Sequence, residues 1–190
     1  MKHIVVCCDG TWNTPDHLDR GKVSPSNVVK TALAVAPVRS DGTPQIVHYD
    51  RGVGTGHFEH LRGGAFGYGL SHNILQAYRF VARRFEPGDA LFLFGFSRGA
   101  YTARSLAGLI RNCGVPKVPS QEVIEKAYAL YRRRDGSSHP RGTEARLFRR
   151  MHSHETRIRC IGVYDTVGAL GIPGAASAGS TAAGPSTTWT

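Results

Sequence analysis

The segment best suited to chemistry is Gly95-Phe96-Ser97-Arg98-Gly99, in which a serine has a glycine two positions away on each side. Such glycines allow a strand and a helix to approach closely around a sharp turn that exposes the serine hydroxyl. The pattern is common by chance, so its context decides its meaning. An apolar run at 90–94 precedes it, and a helical pattern from about residue 100 follows it. This context predicts a nucleophile elbow with Ser97 as the nucleophile.

A serine nucleophile needs donors for the oxyanion that forms when it attacks a carbonyl group. The amide of Arg98 is expected to be the first donor, because it follows the nucleophile at the start of a helix. The second donor is expected from Asp9-Gly10-Thr11-Trp12, where Gly10 permits close backbone approach. We therefore expect Gly10 and Thr11 to contribute to the site. The alternative is a loop that Asp9 stabilises through an Asx-type turn.

A catalytic triad also needs a carboxylate that orients a basic histidine. Asp165 fits the carboxylate because it directly follows the apolar run 158–164, although it could instead cap a helix or form a turn. No histidine follows Asp165, so the base is missing from its expected place. His152 and His154 precede that run, and solvated surface positions are the favoured interpretation for both. The same interpretation holds for the histidines around a glycine-rich stretch, which are His57, His60 and His72.

Apolar runs alternate with helical patterns along the chain, which predicts an α/β fold with a mostly parallel sheet and flanking helices. The predicted strands are 3–8, 45–49, 90–94 and 158–164. The predicted helices are 27–35, 70–85, 100–112, 121–134 and 143–151. Loops are expected over 9–25 and over the glycine-rich stretch 51–69. The latter lacks the lysine of a phosphate-binding P-loop, so nucleotide binding is not favoured.

Composition narrows the class of protein. The chain has 190 residues, of which 41% are hydrophobic and 20% charged, as in a globular domain. No apolar run could span a bilayer, and the N-terminal run is too short for a signal peptide, so a cytoplasmic protein is expected. The four cysteines fit no zinc spacing and are expected to be buried, reduced thiols. Neither a metal nor a cofactor is expected.

The chain is strongly basic, with a net charge of +10. Solvated helix faces are the favoured interpretation, and a contact with anionic lipid headgroups is the alternative. A nucleic-acid partner is not expected, because no motif for one is visible. The oligomeric state is open. Residues 174–190 hold only Gly, Ala, Ser, Thr, Pro and one Trp, so they are expected to form a disordered tail.

Five ordered blocks carry a resemblance to a known family, namely Cys8–Asn13, Ser26–Val28, Tyr49–Gly56, Gly95–Arg104 and Gly162–Gly168. They resemble the α/β-hydrolase domain family that includes the catalytic domain of type VI secretion phospholipase effectors, the Tle1-like class. The resemblance covers about residues 1–173. It implies a serine hydrolase of lipid esters that a type VI system could export, with Ser97 as nucleophile and Asp165 as acid.

The resemblance also implies that the domain is C-terminally incomplete here. Members of the family continue past residue 173, and their catalytic histidine lies in that later part. We therefore expect a truncated hydrolase domain over 1–173 followed by the tail. The alternative to an active esterase is an inactive fragment that retains only the hydrolase scaffold.

Overall fold

The computed structural model describes residues 1–10, 13, 15–16, 18–52, 65–133 and 135–166, and for 65–68 it describes the backbone alone. Its strands are β1 His3–Cys8, β2 Leu18–Asp19, β3 Lys22–Val23, β4 Gln45–Asp50, β5 Ala90–Phe96, β6 Val115–Pro116, β7 Ser153–His154 and β8 Ile158–Tyr164. Its helices are α1 Asn27–Ala34, α2 Ala65–Arg84, α3 Arg98–Cys113, α4 Gln121–Arg132 and α5 Thr143–His152. The predicted α/β fold is confirmed.

Four strands form a parallel sheet in the order β4–β1–β5–β8. The two central strands are continuous apolar runs, as expected for parallel strands that are covered on both faces. The chain moves from β1 to β4 on one side and then to β5 on the other. The direction of the connections therefore reverses between β1 and β5. In open parallel sheets, ligands bind outside the carboxyl ends of the strands at such a reversal.

Helices cover the two faces of this sheet unequally. The larger core lies under α2, α3, α4 and α5, and a smaller one lies under α1. Cys8 belongs to the first core and Cys7 to the second, which confirms that these neighbours point to opposite faces. Ser26 caps α1 as predicted, because its Oγ accepts a hydrogen bond from the amide of Val29. Within the described residues, none of the helices combines the length and apolarity that crossing a membrane needs.

Two local predictions were wrong. Helix α2 begins at Ala65 rather than near residue 70, so Gly67 and Gly69 are helical. Glycine costs about 1 kcal/mol in a helix, but packing against the sheet supplies most of a helix's stability. The predicted loop 9–25 contains the hairpin β2–β3, whose turn residues Arg20 and Gly21 have φ of 49° and 77°. A two-residue hairpin turn with positive φ at both positions usually contains Asn-Gly or Asp-Gly. Because an arginine occupies the first position here, the sequence pattern did not indicate a hairpin.

The cysteines are free thiols, as predicted, but one of them is not buried. Burial raises the pKa of Cys7 to about 12 and that of Cys113 to about 12. Cys160 is exposed, so the prediction of burial was wrong at this position. Its strand, β8, is an outer strand of the described sheet, with no described neighbour on its far side.

The core between the sheet and α3 should dominate stability. Leu93 is fully buried in β5, whereas Leu33 on α1 is 78% exposed. We predict that Leu93→Ala lowers the free energy of unfolding by about 2–5 kcal/mol, because it leaves a cavity. The matched change Leu33→Ala should alter it by less than about 0.5 kcal/mol. Urea denaturation followed by circular dichroism measures both, and equal losses would contradict this assignment of the core.

Candidate active site

Ser97 lies at the junction between β5 and α3, with an unusual backbone conformation. Its φ is 53° and its ψ is −118°, outside the regions that non-glycine residues ordinarily adopt. Its amide donates a hydrogen bond to the carbonyl of Tyr164 over 3.0 Å, which ties the turn to the end of β8. A strained residue of this kind persists only where its surroundings hold it, and such residues cluster at functional sites. The side chain is half-buried.

The glycines on each side of Ser97 are required by close backbone packing. A Cβ atom on Gly95 would lie 2.4 Å from the carbonyl oxygen of Gly99. A Cβ atom on Gly99 would lie 2.1 Å from the carbonyl oxygen of Cys8 and 2.4 Å from that of Asp9. The start of α3 therefore rests directly on the end of β1. This contact brings the Ser97 turn beside the loop that follows β1.

The loop after β1 is organised around Gly10, though not in the expected way. The Gly10 amide donates to Oδ1 of Asp9 over 2.8 Å, and its carbonyl accepts from the amide of Asn13 over 3.2 Å. The N–H of Gly10 is thus engaged by Asp9, and Gly10 shapes the loop here. A Cβ atom at Gly10 would lie 2.7 Å from the ring of Phe96. Thr11, the other expected contributor, lies outside the described residues.

Asp9 is the hub of a buried hydrogen-bond network that joins three elements. It is 0% exposed, and its Oδ2 accepts hydrogen bonds from Ser26 Oγ over 2.8 Å and from the hydroxyl of Tyr49 over 2.7 Å. Burial and the hydrogen bond to Asp9 raise the pKa of Tyr49. The end of β1 is thereby fixed to the start of α1 and to β4. The sequence analysis considered Asp9 only as a residue that could form a turn. The signal for its role in a buried network was its position directly after a buried strand.

Asp165 lies at the same edge of the sheet as Ser97. The register of β5 and β8 pairs Phe96 with Tyr164, so the two candidate residues leave adjacent strands at equivalent points. Asp165 is exposed and has a φ of 41°. It lines a cleft of about 360 Å³, whose other lining residues are Asn13, Ser24, Pro25, Ser26, Asn27, Phe96 and Tyr164. Ser97 does not line this particular cleft, although it lies at the same edge of the sheet.

Two of the histidines that the chain offers as an alternative base, His152 and His154, lie far from Ser97. His152 ends α5 and His154 ends β7, before β8 begins at the amino edge of the sheet. Because Ser97 is at the carboxyl edge, the length of β8 separates them, about 20 Å at 3.3 Å per residue. His72 is exposed on α2. Among the described histidines, none forms a hydrogen bond with Ser97 or Asp165, and His57 and His60 lie outside the described residues.

Arg98 is the first residue of α3, directly after Ser97. The amides of a helix N-terminus face outward along the axis and favour negative charge. The backbone amide of Arg98 therefore lies at the N-terminus of α3, and its role as an oxyanion donor stays a prediction. Across the part of the chain that is described, no group of three or more His, Cys, Asp or Glu side chains is arranged to hold a metal ion.

Comparison with known protein families identifies the family of this chain. Residues 2–188 match the family described as T6SS, phospholipase effector Tle1-like, catalytic domain. The chain belongs to this Tle1-like family. It is also 30% identical over 193 residues to an uncharacterized protein of Saccharomyces cerevisiae, YEL023C. The match takes in 90% of this chain but 27% of the yeast protein, so the chain spans about a quarter of that relative's length. No solved structure matches.

The contact between α3 and β1 predicts a sharp intolerance at Gly99. Gly99→Ala should cost about 1–3 kcal/mol of unfolding free energy or more, because the new methyl group meets two backbone carbonyls that have little freedom to move. The control is Gly136→Ala, where a Cβ atom meets nothing within 4 Å. Thermal and urea denaturation provide the comparison. Equal stability of the two variants would show that this contact is looser than the structure has it.

The Asp9 network predicts a cost for an isosteric change. Asp9→Asn replaces an acceptor oxygen with a donating amide in a fully buried place that holds three hydrogen-bond donors. It should lower the unfolding free energy by about 1–3 kcal/mol. Asp19→Asn, at an exposed position in β2, should change it by less than about 0.5 kcal/mol. If Asp9→Asn is as stable as the wild type, the network does not hold the end of β1.

Proposed function

We propose that this chain is a serine esterase of phospholipase type, with Ser97 as its nucleophile. The observation that carries the proposal is the strained conformation of Ser97 between a buried strand and a helix. It is supported by the position of this turn at the carboxyl edge, next to the reversal between β1 and β5 where open parallel sheets bind ligands. Membership of a phospholipase effector family supports a lipid ester as the substrate.

In the proposed mechanism, Ser97 Oγ attacks the ester carbonyl carbon as its proton passes to a histidine base. The tetrahedral intermediate then collapses, the alcohol leaves with that proton, and an acyl-enzyme remains. Water hydrolyses the acyl-enzyme and restores the hydroxyl group. The amide of Arg98 stabilises the oxyanion, together with the amide of Thr11 as the proposed second donor. Gly10 contributes by shaping the loop between them.

We propose Asp165 as the acid that orients the histidine, because it leaves β8 beside Ser97. None of the described histidines forms a hydrogen bond with Ser97 that would assign it as the base. This observation favours a second candidate function, in which the chain keeps the hydrolase scaffold but does not turn over substrate. Under that alternative, residues 1–173 would still form the hydrolase unit and 174–190 its tail, as we propose for the active form.

The basic character of the chain supports a partner of opposite charge. With a net charge of +10, it is suited to contact with the anionic surface of a membrane, where a phospholipase finds its substrate. Synthesis in the cytoplasm followed by export through a type VI system is the corresponding proposal for its location, and it draws on the family alone.

Hydrolysis assays separate the two candidate functions. We predict that the wild-type chain hydrolyses p-nitrophenyl butyrate and vesicle phospholipid, and that Ser97→Ala lowers the rate on the order of 10³-fold or more. Ser40→Ala, at an exposed serine, should leave the rate unchanged. Hydrolysis that survives Ser97→Ala would contradict the assigned nucleophile. A folded wild type without hydrolysis would support the scaffold alternative.

A further inference from the structure

The outer face of α5 carries two exposed apolar side chains. Leu147 is 50% exposed and Met151 is 69% exposed. They are four residues apart, so they lie side by side on one face. Arg146 and Arg150, which are one turn apart, form an exposed row beside this pair. The exposed side of this helix therefore carries a pair of apolar side chains next to two cations.

The opposite face of α5 explains why these residues point outward. Ala145 is fully buried against the core, and Phe148 packs onto it. Arg149 points inward as well, where it donates to the carbonyls of Asn112 and Pro140 over 2.8 and 2.9 Å. With these positions held inside, helical geometry leaves the remaining residues of the middle turns in solvent. The orientation of the face is thus fixed by packing and not by the surface residues themselves.

A neighbouring loop extends the same surface. The amide of Lys117 donates to the carbonyl of His152 over 2.8 Å, and Lys117 Nζ donates to the carbonyl of Arg150 over 3.4 Å. Val118 follows directly and is 69% exposed. The α5 patch, as we name it, therefore consists of Val118, Leu147 and Met151 with the cations Lys117, Arg146 and Arg150.

The carboxylates around this patch are already neutralised. Glu144 forms an ion pair with Arg133, Glu122 with Lys126, and Glu155 with Arg149. No described carboxylate forms an ion pair with any cation of the α5 patch. Three positive charges are thus available to an outside partner, next to apolar side chains that gain by leaving water.

We propose that the α5 patch docks the protein on an anionic lipid bilayer. A convex helix face with Leu and Met beside Lys and Arg suits an interface, because the apolar groups enter the acyl boundary while the cations stay among the headgroups. Each such cation near an anionic surface contributes attraction that salt screens. The proposal does not involve Ser97, so it stands or falls independently of hydrolysis. A second copy of the chain is the competing occupant.

Co-sedimentation of the full chain with lipid vesicles tests the proposal. We expect binding to phosphatidylcholine vesicles that contain about a third phosphatidylglycerol, and much weaker binding to phosphatidylcholine alone or at high salt. Leu147→Gln with Met151→Gln, and separately Arg146→Gln with Arg150→Gln, should each lower the partition constant about tenfold or more. Circular dichroism verifies that the variants are folded.

Matched variants elsewhere serve as controls. Leu33→Gln removes an exposed leucine from α1, on the other face of the sheet, and Arg83→Gln with Arg84→Gln removes two exposed arginines from the end of α2. Both should retain binding within about twofold, because neither change touches the patch. Absence of binding to anionic vesicles, or an equal loss in patch and control variants, would overturn the proposal. So would self-association without lipid that disappears with Leu147→Gln and Met151→Gln.

Discussion

The contact on which the rest of the site depends is between the first turn of α3 and the end of β1. Gly99 lies so close to the carbonyls of Cys8 and Asp9 that no side chain fits between them. This contact sets the height of the helix above the sheet and requires a sharp turn after β5. Ser97, at the apex of that turn, takes a conformation that its own side chain disfavours. The strain is held by the packing of two elements that are themselves anchored in the core.

Asp9 makes the other half of this arrangement rigid. Its carboxylate is buried and receives three hydrogen bonds, so the end of β1 has little freedom to adjust to α3. The same carboxylate accepts a hydrogen bond from the amide of Gly10 and so engages that group. The buried network therefore restricts which backbone groups can take part in chemistry at this edge.

The sequence was most informative where one physical effect dominates. The apolar runs that became β1 and β5 are long, continuous and bounded by turns, so burial alone decides their structure. The glycines around Ser97 were interpretable because only close backbone packing requires them. By contrast, the start of α2 could not be predicted from the sequence. Gly67 and Gly69 have low helix propensity and so favoured a loop, although the helix includes them. The Asp9 network was equally hidden, because its partners Ser26 and Tyr49 are remote in the chain.

We propose Ser97, at the carboxyl edge of the sheet, as the nucleophile of this chain of the Tle1-like family. The most direct test is to treat the folded protein with a fluorophosphonate probe and to map the adduct by peptide mass spectrometry. The account predicts a single modified peptide, with the probe on Ser97, and no modification after heat denaturation. A folded protein that stays unmodified at Ser97, or that carries the adduct on another serine, would contradict it.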